Sequence, residues 1–122
     1  GRVVIMDAAT HDRLLSAISH LPHMIAYTLV NAVAASGEKN IDFLKYSAGG
    51  FRDFTRIASS SPEMWADVCA MNKDNIIGMI ENFQRQLEAL KRLIAHDDFK
   101  GVKANFESAK KIRDSIITDD KK

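Results

Sequence analysis

Residues 75–95 read Asn75-Ile-Ile-Gly-Met-Ile-Glu-Asn-Phe-Gln-Arg-Gln-Leu-Glu-Ala-Leu-Lys-Arg-Leu-Ile-Ala95, and this stretch decides the fold class. Ile76, Ile80, Phe83, Leu87, Leu90 and Ile94 recur at spacings of 4, 3, 4, 3 and 4. In a strand these residues would scatter over both faces; on a helix they form one heptad seam, about 27 Å long at 1.5 Å per residue. Glu81/Arg85 and Glu88/Arg92 stand at i,i+4 in the favoured order. Ile77 and Leu93 widen the stripe, which suits a helix packed on more than one neighbour. A single layer of such helices needs a second surface to cover it. We expect an all-α chain that forms a homodimer, mainly through this helix. The alternative is a monomeric bundle whose helices cover each other.

Working outward, the same periodicity recurs. Phe99, Val102, Phe106, Ala109, Ile112 and Ile116 predict a last helix, followed by a polar tail over 118–122. Upstream, Ser61-Pro62-Glu63 is a helix start: serine as N-cap, proline at N1, glutamate in the first turn. That helix carries Met64, Trp65, Val68, Cys69 and Met71. Leu21, Met24, Ile25, Thr28, Leu29, Ala32 and Val33 mark a long helix, with Ser19 as its N-cap, Pro22 in its first turn and a stop at Ser36-Gly37, where glycine suits a left-handed C′ position. A separate first helix is expected over about Ala8–Ile18, capped by Asp7 or Thr10. Residues 38–61 are the least regular: a short helix over Ile41–Tyr46, a flexible break at Ala48-Gly49-Gly50, then one or two helical turns over Phe51–Ala58. Arg2–Met6 alone reads as a strand.

The 122 residues amount to one domain, and a net charge of +1 argues against a chain built to neutralise nucleic acid or anionic lipid. No apolar run exceeds four residues, far short of a membrane span, and the opening Gly-Arg-Val-Val-Ile does not read as a signal peptide, so none is expected. The lone Cys69 allows no internal disulfide and is compatible with a reducing, cytoplasmic setting. The chain begins without Met inside an apolar run, so it reads as a piece of a longer protein. A lone strand needs partners elsewhere.

Two clusters carry candidate chemistry. His11, His20 and His23 fall within thirteen residues, and His20 and His23 share a helix face, with Tyr27 a turn beyond. Two imidazoles at a helix N-terminus suit an anion, and a metal is the other chemistry open to them. The bland alternative is a pair of hydrogen-bonded structural histidines. The second cluster is Gly49-Gly-Phe-Arg-Asp53-Phe-Thr-Arg56: glycines that let backbone approach a ligand, and an arginine able to fork onto a carboxylate. Its alternative is a local Asp53–Arg56 salt bridge of little worth. Trp65 is lid or core, and Asn72 and Asn75 are interior polar glue or helix-boundary residues. His11-Asp12 is the dipeptide that names a class of metal-dependent phosphohydrolases, but these need a further histidine well upstream, and none precedes His11.

Taken together, His11-Asp-Arg-Leu-Leu-Ser-Ala-Ile-Ser-His-Leu-Pro-His23, Gly49-Gly-Phe-Arg-Asp-Phe-Thr-Arg-Ile-Ala58 and Ser61-Pro-Glu-Met-Trp65 with Asn72 resemble three ordered blocks of the prephenate dehydrogenase family, which includes the arogenate and cyclohexadienyl dehydrogenases. The resemblance covers roughly residues 1–117. It implies a helical dimerisation domain, similar to the C-terminal domain of 6-phosphogluconate dehydrogenases, over residues 8–117. Residues 1–7 would then be a remnant strand or linker from a dinucleotide-binding domain. No Gly-x-Gly-x-x-Gly occurs in this chain, so NAD or NADP is expected on the missing domain, together with the catalytic residues, and no cofactor or metal on this one.

The implied reaction is oxidative decarboxylation. Hydride passes to the nicotinamide, carbon dioxide leaves, and the ring becomes aromatic, giving 4-hydroxyphenylpyruvate from prephenate in tyrosine biosynthesis. By matching positions, Arg56 binds a substrate carboxylate, His23 contacts the substrate with His20 beside it, and Gly49 lets backbone come close. His11, Asp53, Arg56 and Trp65 form a polar gate. The resemblance implies that the fragment alone is inactive, that its ligand is prephenate or arogenate, and that it binds neither nucleic acid nor membrane. The alternative is a non-catalytic helical dimerisation module.

Overall fold

The computed structural model describes residues 5–120, with side chains to residue 117. Among these the chain is helical throughout, with no strand beyond an isolated bridge between Glu38 and Ile41. Of the strand expected over Arg2–Met6, residues 2–4 lie outside the described residues, and Ile5 and Met6 belong to no strand. The chain divides into two compact units, Gly1–Ile80 and Glu81–Lys122.

In the first unit, α1 spans Ala8–Leu15 and α2 spans Leu21–Ala35. Asp7 caps α1, its carboxylate accepting from Thr10 N at 2.7 Å. That backbone hydrogen bond, with the Thr10 hydroxyl second, holds the Asp7 carboxyl below its ordinary range. The break expected at Ser19 does not occur. Residues Ser16–His20 form a π-helical turn that joins α1 to α2 without leaving helical backbone, and Leu21 N donates five residues back to Ser16 O. The physical reason is Pro22. In a regular α-helix its ring would crowd the carbonyl of Ile18, and a widened turn relieves this. The helix N-terminus expected beside His20 and His23 is therefore absent, and with it the dipole argument for an anion there. Ser16 fills the inside of the widened turn, only 2% exposed, its hydroxyl donating to Arg13 O at 2.6 Å.

Alpha2 ends at Ser36, but Gly37 has no positive φ. Its role is close approach instead: a Cβ there would lie 3.2 Å from Ile41 O. The short helix expected from Ile41 is a 3₁₀ turn over Phe43–Tyr46. The expected flexible break at Ala48-Gly49-Gly50 is the opening of α3, Gly49–Phe54, where both glycines have ordinary helical backbone. A 3₁₀ turn, Arg56–Ser59, follows and packs against α2. Alpha4 spans Pro62–Met71 and begins as its sequence predicts, Ser61 Oγ accepting from Met64 N at 3.2 Å. The core of this unit is small: Ala26, Trp65 and Ile76 are its buried apolar side chains.

Alpha5 runs from Lys73 to Ala95, the predicted seam helix, and continues into the second unit. The Glu88–Arg92 pair forms at 3.4 Å, whereas Glu81 and Arg85 make no ion pair among the described residues. Asp97, at φ 56, ends the helix in the left-handed conformation. Asp98 N then bonds Leu93 O and Asp97 N bonds Ile94 O, closing the last turn with aspartate where glycine is usual. The Asp98 carboxylate in turn accepts from Gly101 N at 2.9 Å and caps α6, Phe99–Asp120; this helix runs past Thr118, where a polar tail was expected. Lys121 and Lys122 lie outside the described residues. Alpha5 and α6 do not pack along their lengths, and no described side chain of the second unit is buried. Phe83, Leu87, Ile94, Phe99, Phe106, Ile112 and Ile116 all stand exposed on it. Leu87, Leu90, Ile94, Ala95 and the stem of Lys91 line an apolar groove near the end of α5. Among the described residues no helix is long and apolar enough to cross a membrane.

Candidate functional site

The site is built around Trp65. It sits one turn into α4, 8% exposed, and the His23 ring stacks on it with centroids 3.6 Å apart and planes 19° apart. His20 meets the same indole edge-on, at 5.8 Å and 76°. Trp65 is thus core and site wall at once. Its indole Nε1 is buried without a hydrogen-bond partner, an uncommon state for a buried donor.

Both histidines are held at Nδ1. His23 Nδ1 lies 2.9 Å from Ser19 O, four residues back on the same helix. His20 Nδ1 lies 3.3 Å from Asn72 Nδ2 at the end of α4. Burial pushes the His20 pKa below its ordinary value of 6.5, the charge of His23 adds to this, and Asp12 opposes it. The widened turn between α1 and α2 is what aims these rings, since His20 closes it and His23 follows by three residues.

A second contact draws the arginine segment to this wall. Tyr27 Oη donates to Ser60 O at 2.7 Å, across thirty-three residues of sequence, and ties the 3₁₀ turn carrying Arg56 to α2 one turn beyond His23. Arg56 is exposed and makes no ion pair among the described residues, so the local Asp53–Arg56 bridge does not form. Asp53 is exposed on α3. Gly49 opens α3 with nothing within 4 Å of a Cβ built on it. His11 is exposed on α1, its Nδ1 3.6 Å from Asp12. The chain therefore brings His20, His23 and Trp65 together and sets Arg56 beside α2. Among the described residues no hydrogen bond or ion pair joins His11, Asp53, Arg56 and Trp65 into a network. No group of three or more metal-ligating side chains stands together among them.

Sequence reasoning left Asn72 and Asn75 undecided. In the structure Asn72 caps α4 and reaches both Asp12 O, at 2.8 Å, and His20. The Tyr27–Ser60 bond had no local signal, because its partners are distant in sequence and one of them is a backbone carbonyl.

An all-helical chain, with two imidazoles packed on one tryptophan and two long helices left uncovered, is the architecture of a helical assembly domain. Residues 7–108 match the family described as "Prephenate dehydrogenase, dimerization domain", and the chain belongs to that family. It is 37% identical over 120 residues to the cyclohexadienyl dehydrogenase of Zymomonas mobilis, covering 98% of this chain and 41% of that protein. It is likewise 37% identical over 113 residues to the prephenate dehydrogenase of Bacillus subtilis, covering 93% and 30%. Among solved structures, prephenate dehydrogenase from A. aeolicus in complex with hydroxyphenyl propionate and NAD+ superposes with a TM-score of 0.89 at 38% identity, covering 95% of this chain and 41% of that one. Synechocystis arogenate dehydrogenase superposes with a TM-score of 0.85 at 27% identity, covering 94% and 42%. The chain thus spans about two fifths or less of the length of these relatives.

Proposed function

We propose that these residues are the dimer-forming and substrate-binding part of a cytoplasmic, NAD(P)-dependent prephenate dehydrogenase that makes 4-hydroxyphenylpyruvate. The observation that carries this reading is the closure of distant sequence blocks on one wall: His20 and His23 on Trp65, with Arg56 tied alongside through Tyr27 and Ser60. Residues 8–117 act as one functional domain, with residues 1–7 as the lead-in.

In this reading the exposed Arg56 guanidinium forks onto a substrate carboxylate. His23, its Nδ1 committed to Ser19 O, meets the substrate through Nε2, and His20 stands beside it. Gly49, with open space around it, lets the ligand approach the backbone of α3. His11, Asp53 and Trp65 form the rim with Arg56, drawn together by the ligand and a second copy of the chain. Aromatisation makes the reaction itself downhill, so this domain's task is orientation and charge neutralisation. A nicotinamide dinucleotide would supply the hydride acceptor. The described residues contain no strand, and Gly49 and Gly50 open a six-residue helix rather than a strand-to-helix turn, so they do not fit its pyrophosphate. The cofactor is assigned outside residues 1–122.

The test is the complete gene product that carries these residues. Absorbance of the reduced nicotinamide is followed with prephenate and with arogenate, each with NAD and with NADP. Turnover with prephenate is expected. The Zymomonas and Synechocystis relatives favour a second reading, a cyclohexadienyl or arogenate dehydrogenase, which turnover with arogenate would select. No turnover in any combination, from folded dimeric protein, would refute both.

A further inference from the structure

Asn72 makes three polar contacts that together fix which way round its amide lies. Its Oδ1 accepts from Asn75 Nδ2 at 2.8 Å, and its Nδ2 lies 2.8 Å from Asp12 O and 3.3 Å from His20 Nδ1. A backbone carbonyl only accepts, so the Asn72 atom facing Asp12 O must be the nitrogen. That nitrogen has two hydrogens. One goes to Asp12 O, and the other points at His20 Nδ1, which must then carry a lone pair. A neutral imidazole with a lone pair on Nδ1 carries its proton on Nε2. At His23 the same reasoning gives the opposite result. Ser19 O accepts, so Nδ1 carries the proton, and the neutral ring keeps its lone pair on Nε2.

We propose that Asn72 is a positioning residue that holds His20 as the neutral Nε2–H tautomer, while Ser19 O holds the adjacent His23 as the Nδ1–H tautomer, so that two imidazoles on one tryptophan present opposite hydrogen-bonding faces. His20 offers an uncharged donor and neutral His23 an acceptor. Neither Nε2 has a hydrogen-bond partner among the described residues, and neither is a buried orphan as Trp65 Nε1 is. The charged and titratable groups around His20 are His23 on α2 and Asp12 on α1, and its depressed pKa agrees with a ring kept neutral. The use of the His20 N–H toward an acceptor oxygen of a bound carboxylate or carbonyl rests on the dehydrogenase reading. The tautomer assignment does not, and it is tested without substrate.

The experiment is a long-range 1H–15N correlation spectrum of the 15N-labelled, unliganded chain above neutral pH. Its four histidines are assigned with His20→Gln and His23→Gln. His20 is expected as Nε2–H and His23 as Nδ1–H, the less common form of free histidine. Asn72→Asp turns a carboxylate toward His20 and is expected to place a proton on Nδ1, as the other tautomer or as imidazolium, without moving His23. His20 found with Nδ1 protonated in the unsubstituted chain overturns the proposal. So does a folded Asn72→Asp variant whose His20 keeps the original pattern. The unsubstituted spectrum decides the first point even if the variant fails to fold.

Discussion

Leu87 is the residue on which the assembly reading is most exposed to test. It lies mid-seam on α5, lines the apolar groove and remains 54% exposed. Burying a whole leucine side chain is worth about 1.5–3 kcal/mol, so covering the exposed half recovers roughly 1 kcal/mol. A symmetric dimer contains the side chain twice. Leu87→Ala is therefore expected to cost about 2 kcal/mol per dimer, which raises the dissociation constant roughly 30-fold. Alanine favours helix, so the monomer keeps its secondary structure. Leu87→Glu adds a carboxylate that loses its water in each protomer, at several kcal/mol per ion, and is expected to abolish the dimer. The eight exposed large apolar side chains of the second unit, Ile117 included, scale the same way: at roughly 1 kcal/mol each they supply about 16 kcal/mol per dimer, against an association cost of about 4–15 kcal/mol. Alpha5 residues in the first unit, Ile77 among them, add to this. Sedimentation equilibrium over a concentration series, with circular dichroism as the folding control, measures the change. A monomeric unsubstituted chain, or a Leu87→Glu variant with an unchanged dissociation constant, would refute the reasoning.

Four further outcomes are expected. Tyr27→Phe removes the 2.7 Å bond to Ser60 O, a loss of about 1 kcal/mol and roughly 3–5 °C in melting temperature; in the complete enzyme it should raise KM for the substrate more than for the cofactor, because Arg56 loses its tether. Gly49→Ala should leave the melting temperature equal or slightly higher, since a Cβ meets open space, while Gly49→Val should raise substrate KM in the complete enzyme if the ligand passes over that backbone. Asp97→Gly relieves a left-handed aspartate and is expected to add up to about 1 kcal/mol, read as a higher urea midpoint. Both depressed pKa values make stability rise with pH. The folded chain binds fewer protons at His20, so that contribution is full above the ordinary 6.5 and is lost as pH falls through the lower folded value. For Asp7 the same loss begins only as pH falls toward and below 3.8. Melting scans against pH should show the first slope vanish in His20→Gln and the second in Asp7→Asn.

What could be read from the sequence was whatever is written locally or periodically. The seam from Ile76 to Ile94 gave α5, and Ser61-Pro62-Glu63 gave the start of α4, because caps and apolar spacing act within a turn or two. A set of candidate site residues was legible through the resemblance to family blocks. Their assembly was not, since the His23–Trp65 stack and the Tyr27–Ser60 bond join residues over thirty apart. The helix junction at Ser19 was misread for a physical reason: serine before a proline has the chemistry of a start signal, and only the carbonyl ladder reveals that the chain never leaves the helix. Gly49 and Gly50 were misread likewise, as freedom of backbone where the chain uses an ordinary turn.

The widened turn at Ser16–His20 also holds one residue more than an α turn, so α1, the π turn and α2 behave as one shaft with an extra residue let into it. Removing one residue between Ser16 and His20 would let the turn close as an ordinary α turn of about the same rotation, so His20 and His23 would keep roughly their bearing, but the Pro22 ring would meet the carbonyl four residues before it. Along this shaft, the extra residue is room for a proline rather than a change of direction.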